Sequence, residues 1–288
     1  MKPNIKKSIR QKTPTVSVMM CAYNAAPFIR DSIDSILAQT YKNFEFAIID
    51  DGSTDETLSI IQSYDDKRIR LIKSRHDYIL SLNKGLKACQ GEFIARMDAD
   101  DKAMPERLAE QIKIMRKYPE ITACFTWGTT FGSLQESIGH VAKGHIDNVY
   151  FWLLTGNFFM HPTAMLRKDF LIKYRLRYKR YPYAEDYKLW SDIARLGGEF
   201  YIIPEPLFHY RLGATQVSQK HHEQQKKTRL LIQQEILEEL LHRLEHPYKQ
   251  HIKRLYNAAL KMNTAHILQG DEVIVWMYKI LRRTKCFV

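Results

Sequence analysis

The sequence predicts an α/β fold, in which helices flank a mostly parallel sheet and a further helical region follows at the C-terminus. Compact apolar runs typical of buried strands alternate with segments of helical periodicity through the first hundred residues, which is the pattern of βαβ units. From about residue 216 the composition shifts to long, charged segments of helical periodicity. The chain has 288 residues, of which 45% are hydrophobic, so it is long enough for one large domain and a modest extension.

Four strands and three helices are predicted within the alternating part. The strands are Val16–Ala22, Phe44–Ile49, Ile69–Ile72 and Phe93–Met97, and the helices are Phe28–Gln39, Thr54–Ser63 and Leu80–Ala88. Further helices are predicted over Lys220–Leu244, after Pro247 and over Asp271–Arg283. The chain therefore divides into a flexible basic tail at 1–13, a sheet domain at 14–218 and a helical region at 219–288.

The net charge and the cysteine content indicate which partners and which cellular setting the protein is expected to have. The formal net charge of +12 favours anionic partners, which include nucleic acid, anionic lipid and phosphorylated small molecules, but it does not choose among them. The four cysteines form no CxxC pair, which argues against a zinc site and favours a reduced, cytoplasmic setting. No apolar signal-peptide core follows the basic N-terminus, and no run of about 18 apolar residues predicts a membrane span.

Three carboxylates cluster in Asp98-Ala99-Asp100-Asp101, directly after the fourth predicted strand. Packing them together costs electrostatic repulsion unless a proton or a cation relieves it. A divalent metal that bridges a substrate diphosphate would do so, and it would stabilise charge on a leaving group. The alternative is structural, with Asp101 capping the helix that follows Pro105. The cluster alone does not decide between the two.

A second polar segment, DDGSTD at 50–55, lies between the second strand and the next helix. A carboxylate here can accept hydrogen bonds from a ribose or a base, whereas in a plain turn Ser53 or Thr54 would cap the helix. Carboxyl ends of parallel strands share one sheet edge, so the polar segments after strands one, two and four are expected to converge there. The sequence has no GxGxxG and no GxxxxGK(S/T), so dinucleotide and P-loop sites are not indicated.

Several segments follow one another in a specific order. They are VSVMMCAYNAAPFIRDSIDSILAQTYKNFEFAIIDDGSTDET at 16–57, LNKGLKACQGEFIARMDADD at 82–101, HPT at 161–163 with RK at 167–168, and AEDYKLWSDIARLG at 184–197 with PLFHYRL beyond it. Together they resemble the large inverting glycosyltransferase family 2, over about Val16 to Ser218. The DxD pattern alone is weak, but this ordered set is specific. The resemblance implies a GT-A (Rossmann-like) fold and a metal-dependent nucleotide-sugar glycosyltransferase.

The resemblance also implies roles at the matching positions. Asp186 would be the general base that takes a proton from the acceptor hydroxyl. Asp100 would be the main ligand of Mn²⁺ or Mg²⁺, with Asp101 assisting. Glu185 and His161 would lie on the acceptor side. The residues that would bind the nucleotide sugar are Tyr23, Asn24, Asp51, Arg96, Asp98 and Arg211, with Asp51 at the uracil base and Asp98 at the ribose.

The sequence departs from the family near the end of the domain. Many relatives carry a histidine shortly after a Tyr-Arg pair, and that histidine can help to hold the metal or the diphosphate. Here Tyr210-Arg211 leads to LGAT, and the nearest histidine, His209, precedes the pair. Metal coordination would then rest on Asp100 and water, or Arg211 would steady the phosphates. We expect His161 to be structural or to face the acceptor.

The activity implied is transfer of a sugar from a UDP-hexose or UDP-N-acetylhexosamine to a glycan or lipid-linked glycan, in surface polysaccharide or lipooligosaccharide biosynthesis. Two alternatives stay open. A sugar-nucleotide nucleotidyltransferase on a related fold usually carries a Gly-rich basic loop where this chain has YNAAP at 23–27. The charge permits a nucleic-acid-binding module, but lysine and arginine are scattered and no binding motif appears, so no nucleic-acid partner is expected.

The last predicted helix has an apolar face followed by basic residues. The face comprises Val273, Ile274, Trp276, Met277, Ile280 and Leu281, and the basic residues are Arg282, Arg283 and Lys285. One interpretation is an interfacial helix on the anionic inner surface of a membrane, which would make the protein peripheral on the cytoplasmic face, beside a lipid-linked acceptor. The other, which we favour, is packing against the domain or against a second copy in a homodimer.

Overall fold

A computed structural model describes residues 13–132, 136–140, 142–213, 221–244, 248–264 and 270–283. The tail predicted at 1–13 therefore lies outside the described residues, apart from Thr13, and so do residues 214–218 at the end of the predicted sheet domain.

The four predicted strands form the parallel half of one sheet. They are β1 (Val16–Ala22), β2 (Phe44–Asp50), β3 (Ile69–Lys73) and β4 (Phe93–Asp98), in the spatial order β3-β2-β1-β4. Every residue of β1 and β2 is buried, because helices cover both faces of the sheet. This burial explains why these strands read as continuous apolar runs without alternation. All four strands are confirmed, with ends within one residue of the prediction.

The other half of the sheet was not predicted. After β5 (Lys102–Ala103) come β6 (Ile121–Gly132), β7 (Ser137–Ile138), β8 (Gly144–Ile146), β9 (Met165–Arg167) and β10 (Glu199–Leu212). The order continues from β4 as β9-β6-β10-β5, with β9 antiparallel to both of its neighbours and β6 parallel to β10. The sheet is therefore mixed on this side and parallel on the other.

Ten helices of the described residues form layers on the two faces of the sheet. They are α1 (Ile29–Leu37), α2 (Thr57–Gln62), α3 (Tyr78–Ala88), α4 (Arg107–Lys117), α5 (Val149–Trp152), α6 (Lys168–Lys173), α7 (Glu185–Arg195), α8 (His222–Arg243), α9 (Tyr248–Thr264) and α10 (Gly270–Arg283). Residues of α1, α2 and α4 share one hydrophobic core, and those of α3, α5, α7 and α8–α10 share the other. The predicted α/β fold with a C-terminal helical region is confirmed.

The helix caps that the sequence leaves open as alternatives are not formed. Helix α2 begins at Thr57 rather than Thr54, because the Asp55 carboxylate accepts a hydrogen bond from the Thr57 N–H at 2.9 Å. Ser53 and Thr54 belong to the preceding loop. Asp101 does not cap α4 either, since that helix begins at Arg107 and has no side-chain cap. Asp55 therefore stabilises the start of α2, whereas Asp50, Asp51 and the acidic segment after β4 do not cap a helix.

Helix α10 packs with one face against the protein and leaves the other exposed. Val273, Ile274, Met277 and Leu281 are buried in the core shared with α8 and α9, which supports the packing interpretation of this helix. Trp276, which was assigned to the same apolar face, is 40% exposed. Lys285 lies outside the described residues. Among the helices that the structure describes, none combines the length and the apolar character needed to cross a membrane.

Three cysteine thiols are expected to resist alkylation in the folded protein. Cys21, Cys89 and Cys124 are buried, and burial raises the pKa of Cys21 and of Cys89 to about 12. Because the thiolate is the reactive form, iodoacetamide at about pH 8 should label none of the three before unfolding and all three after it. A Cys286→Ser background restricts the label, counted by mass spectrometry, to these thiols. Labelling of the native protein would contradict this packing.

Candidate active site

The strand register places three polar segments at one edge of the sheet. Ala22 of β1 pairs with Asp50 of β2, and Cys21 pairs with Asp98 of β4. The residues that follow these strands therefore emerge side by side at their carboxyl ends, where open α/β sheets bind ligands. This convergence agrees with the expectation from sequence.

The loops after β1 and β2 are tied together through Asn24. Its side-chain oxygen accepts a hydrogen bond from the Thr54 N–H at 2.8 Å, and its own N–H donates to the Ser53 hydroxyl at 3.1 Å. Asn24 has a φ of 46°, in the left-handed region that asparagine tolerates. Tyr23 is 43% exposed, and its ring stacks on His76 with centroids 4.0 Å apart. The two loops thus present an ordered aromatic face to solvent.

Asp51 fixes the start of α3 beside these loops. One carboxylate oxygen accepts hydrogen bonds from the Asp77 N–H at 2.9 Å and from the Ser81 hydroxyl at 2.6 Å. The side chain is buried, so these bonds hold it in one orientation. The next residue, Gly52, has a φ of 79°, and a Cβ there would lie 3.3 Å from the backbone nitrogen of His76. The turn after β2 therefore requires glycine.

Arg96 links β4 to α3. It is only 1% exposed, it forms an ion pair with Asp98, and it donates a hydrogen bond to the Tyr78 hydroxyl at 2.8 Å. A buried guanidinium without a partner would be costly, and Asp98 supplies the compensating charge. Because Tyr78 begins the helix that Asp51 anchors, the acidic cluster and the Asp51 loop are connected through one side chain.

Burial and mutual repulsion favour protonation of Asp100 and Asp101. Burial, followed by the charge of Asp98, raises the pKa of Asp100 to about 6. Burial, followed by the charges of Asp98 and Asp100, raises the pKa of Asp101 well above its usual range. A cation bound beside these carboxylates would offset the free-energy cost of their ionisation.

Arg211 closes the acidic cluster on the β10 side. Its N–H donates to one carboxylate oxygen of Asp101 at 2.7 Å, and its side-chain Nε donates to the Asp100 carbonyl at 2.8 Å. The guanidinium lies 4.4 Å from the ring centroids of both Phe28 and Phe131. These contacts hold one cation against the cluster. The second carboxylate oxygen of Asp101 is buried and has no hydrogen-bond partner among the described residues.

A metal ion at this cluster would need ligands from the substrate. Within the described ranges, no three His, Cys, Asp or Glu side chains converge closely enough to hold a metal by themselves. Mg²⁺ is commonly held by one or two carboxylates together with substrate phosphates and water, so a two-carboxylate set fits that class of site.

Glu185 and Asp186 lie in the first turn of α7. The Asp186 carboxylate accepts hydrogen bonds from the Asn157 side-chain amide at 2.9 Å and from the Tyr187 N–H at 2.7 Å. Burial raises the pKa of Asp186, and these two hydrogen bonds oppose that rise. Burial and the charge of Asp186 raise the pKa of Glu185 to about 7. The two adjacent carboxylates thus both have raised pKa values, and only that of Asp186 is opposed by hydrogen bonds from Asn157 and Tyr187.

The acidic cluster and the α7 carboxylates share one electrostatic environment. After burial and Asp186, the contributions to the pKa of Glu185 include a rise caused by Asp98 and a decrease caused by Arg96. Arg96 also lowers the pKa of Asp186, against the larger effect of burial. The charge of Arg96 therefore acts on both acidic groups, which favours their bordering one site.

His161 supports the floor of this site. Its Nε2 lies 2.8 Å from the Tyr178 hydroxyl, and its ring packs against Trp190 with centroids 5.9 Å apart. Burial, reinforced by the charge of Arg96, lowers the pKa of His161 well below its usual value, so the ring is neutral. A hydrogen-bonded, neutral ring packed on Trp190 agrees with the structural alternative for His161.

Comparison with known proteins identifies the family. Residues 17–175 match the family model described as Glycosyl transferase family 2. The chain belongs to this family. An uncharacterized glycosyltransferase of Haemophilus influenzae is 36% identical, with 92% of this chain and 84% of that protein aligned. The putative glycosyltransferase EpsE of Bacillus subtilis is 32% identical, with 69% of this chain and 73% of EpsE aligned.

Solved structures share the fold of this family 2 glycosyltransferase. TarS 1–349 of S. aureus in complex with UDP-GlcNAc has a TM-score of 0.68 at 17% identity, covering 87% of this chain and 73% of TarS 1–349. The mannosyltransferase PcManGT of Pyrobaculum calidifontis, in complex with GDP-Man and Mn²⁺, has a TM-score of 0.59 at 16% identity, covering 96% and 88%. The fold is that of GT-A glycosyltransferases, and neither the nucleotidyltransferase nor the nucleic-acid-binding alternative is favoured.

Two residues of the candidate active site were not predicted from the sequence. Tyr78 belongs to no recognisable motif, yet its hydroxyl accepts a hydrogen bond from Arg96, which lies 18 residues away in the sequence. Asn157 likewise donates a hydrogen bond to Asp186, 29 residues away. Asn157 follows Gly156, whose φ is 151°. That glycine was a visible sign of irregular backbone, but nothing in the sequence placed it beside α7. His209, the residue nearest to the missing family histidine, contacts the Thr129 hydroxyl at 2.6 Å.

Proposed function

We propose that this glycosyltransferase moves a sugar from a UDP-hexose or UDP-N-acetylhexosamine to a hydroxyl of a glycan or lipid-linked glycan, with inversion, in surface polysaccharide or lipooligosaccharide biosynthesis. The observation that carries the proposal is the shared environment of two acidic groups around Arg96. Asp98, Asp100 and Asp101 suit a metal-bound diphosphate, and the α7 carboxylates suit proton removal from an acceptor. Transfer to an acceptor requires both functions in one site.

The nucleotide would occupy the edge formed by β1, β2 and β4. Tyr23 offers an exposed ring face, and the ordered loop around Asn24 supplies backbone groups beside it. Asp51 would accept a hydrogen bond from the base, and Asp98 from the ribose. Arg211, held by two hydrogen bonds next to the acidic cluster, would attract the phosphates. The UDP-GlcNAc bound to TarS 1–349 is consistent with a donor of this class.

Asp100 would hold Mn²⁺ or Mg²⁺ together with oxygens of the donor diphosphate, and Asp101 would assist. The ligands are carboxylate oxygens whose ionisation is unfavourable without a cation, which is the chemistry expected of a divalent metal site. The Mn²⁺ in the PcManGT complex supports this class of metal. When bound, the metal would stabilise the negative charge that develops on the departing diphosphate.

Asp186 would act as the general base in a single displacement. Its carboxylate would take the proton of the acceptor hydroxyl while that oxygen forms a bond to the anomeric carbon and the bond to the nucleotide diphosphate breaks. The hydrogen bonds from Asn157 and Tyr187 hold the carboxylate in place. Glu185, with a pKa of about 7, would lie on the acceptor side as a hydrogen-bonding group. No covalent enzyme intermediate is required.

A donor-hydrolysis screen tests the proposed donor and metal. UDP-, GDP- and TDP-sugars are incubated with the enzyme and Mn²⁺, Mg²⁺ or EDTA, and the released nucleotide is measured. We expect UDP release with Mn²⁺ or Mg²⁺ and none with EDTA, because diphosphate departure depends on charge stabilisation. Release of GDP or TDP alone would contradict the UDP assignment, and equal release in EDTA would contradict the metal.

A further inference from the structure

A cleft separate from the strand-edge site opens between α8, α10 and the segment after α5. Its volume is about 840 Å³, which is in the range of small-molecule binding sites. Thr155 lies at one end, Arg229 and Gln233 of α8 form one wall, and residues of α10 form the other. The proposed donor site uses none of these residues.

The lining of the cleft is both cationic and apolar. Arg229, Lys279 and Arg282 face a single carboxylate, Asp271, so the lining carries a net charge of +2, from three cations and one anion. None of the ion pairs among the described residues involves these three cations. Cations without protein partners around a concave surface favour an anionic ligand.

The apolar part of the lining comes from α10 and is rigidly supported. Ile274 and Tyr278 contribute to the cleft, and the Tyr278 ring stacks on Phe151 of α5 with centroids 4.8 Å apart. Gln233 donates a hydrogen bond to the Leu154 carbonyl at 2.9 Å, which fixes α8 against the segment after α5. The cleft is therefore formed before any ligand binds. Its combination of surfaces suits a ligand with an anionic head and an apolar chain.

The segment 153–157 separates the cleft from the proposed base. The Leu153 carbonyl accepts a hydrogen bond from the Tyr187 hydroxyl, Thr155 lines the cleft, and Asn157 bonds Asp186. Two residues of chain span at most about 7 Å, so the cleft begins close to Asn157. Burial raises the pKa of Tyr187 and the charge of Arg229 opposes that rise, which also places the cleft cation near α7.

We propose that this cleft binds the phosphate group and the first part of the hydrocarbon chain of a lipid-linked acceptor, so that its terminal sugar reaches Asp186. The proposal rests on the proposed function and names the class of its acceptor: an amphiphile that carries a phosphate or diphosphate. Arg229, Lys279 and Arg282 bind the phosphate oxygens, and Ile274 and Tyr278 contact the chain.

Binding of farnesyl diphosphate, a soluble isoprenoid diphosphate, tests this assignment. Calorimetry is performed with saturating UDP and Mn²⁺, so that the donor site is filled. The double variant Lys279→Ala/Arg282→Ala should bind at least about tenfold more weakly than the natural chain, because two charge-assisted contacts are lost. The matched control is Lys253→Ala/Arg254→Ala, which removes two exposed cations of α9 outside the cleft and should bind normally. If the double variant in α10 does not fold, Arg229→Gln tests the cleft from α8 and should also weaken binding of farnesyl diphosphate.

Four outcomes would overturn the cleft assignment. They are no binding of farnesyl diphosphate at saturating UDP, whether or not it binds when UDP is left out, equal loss in both double variants, weaker binding in neither double variant, and equal affinity for inorganic pyrophosphate, which would remove the role of the hydrocarbon chain. The proposed function is tested apart from this by UDP binding and UDP-sugar hydrolysis in the same variants. Failure of those activities with intact farnesyl diphosphate binding would contradict the donor chemistry and leave the cleft assignment standing.

Discussion

Replacing Asp186 by asparagine is expected to lower kcat for sugar transfer by about 10²–10⁴-fold, the usual contribution of a general base. Asn157 and the Tyr187 N–H donate to different oxygens of the Asp186 carboxylate, so an amide at this position can keep one of the two hydrogen bonds while it loses basicity. Affinity for UDP with Mn²⁺ should stay within about twofold, because the proposed donor contacts come from other loops. Calorimetry with UDP and a transfer assay measure the two effects.

The neighbouring carboxylate provides the matched control. Glu185→Gln changes the same charge by the same chemistry one residue earlier in α7, and it should alter KM for the acceptor more than kcat. If Glu185→Gln lost turnover while Asp186→Asn kept it, the base would be Glu185, whose pKa of about 7 suits proton removal near neutral pH. Loss of UDP binding in Asp186→Asn would instead indicate a structural role.

The pH dependence of the natural enzyme follows from the same assignment. A general base acts as the ionised carboxylate, so activity falls as pH decreases through its pKa. Burial raises the pKa of Asp186, which moves this acid limb of kcat/KM above the value for an exposed aspartate. The Asn157 and Tyr187 hydrogen bonds favour the ionised form and move the limb back towards lower pH.

The first half of the fold was predictable because the local apolar patterns and the βαβ order of the elements indicate the same parallel sheet. β1 and β2 are buried on both faces, so their apolar runs mark them within one residue. Parallel pairing then places the strand ends at one edge without further information. The polar segments after β1, β2 and β4 could therefore be assigned to one site from the sequence alone.

The second half of the sheet lacked such signals. β5, β7, β8 and β9 have two or three residues each, too few to show a period. β10 contains Pro204 and Pro206, which argue against a strand, and register shifts at Pro206 accommodate them against β6. These strands are stabilised by hydrogen bonds to strands that are distant in the sequence, and no local sequence pattern indicates those partners.

The orientations of the side chains in the acidic cluster could not be predicted from the sequence either. Asp98, Asp100 and Asp101 look alike as DxDD, yet Asp98 pairs with Arg96 and Asp101 turns inward to the Arg211 N–H. Arg211 comes 110 residues later, and its distance in the chain hides the contact. The roles of these residues depend on partners that only the folded chain brings together.

Asp100→Asn is expected to stabilise the metal-free protein at about pH 8, by up to about 3 kcal/mol, while it abolishes the strengthening of UDP binding by Mn²⁺. Burial and Asp98 raise the pKa of Asp100 from 3.8 to about 6, so the folded state binds its proton more tightly than the unfolded state. The free energy of unfolding therefore decreases as pH rises from about 4 to about 6, and the deficit persists above that range. An amide at this position removes the deficit.

Chemical denaturation between about pH 4 and pH 8, with and without Mn²⁺ and UDP, measures this prediction. The gain in stability should become small near pH 4, because the carboxyl is then protonated in the folded state and about half protonated in the unfolded chain, whose ordinary pKa is 3.8. Asp65→Asn, at an exposed position, is the control and should show no such pH-dependent gain. Adding Mn²⁺ and UDP should raise the stability of the natural chain and not that of Asp100→Asn. A variant that is less stable at every pH would mean that Asp100 holds the fold together. A variant that gains stability only when metal is absent would mean that this carboxylate is kept, against the stability of the protein, for the cation it binds.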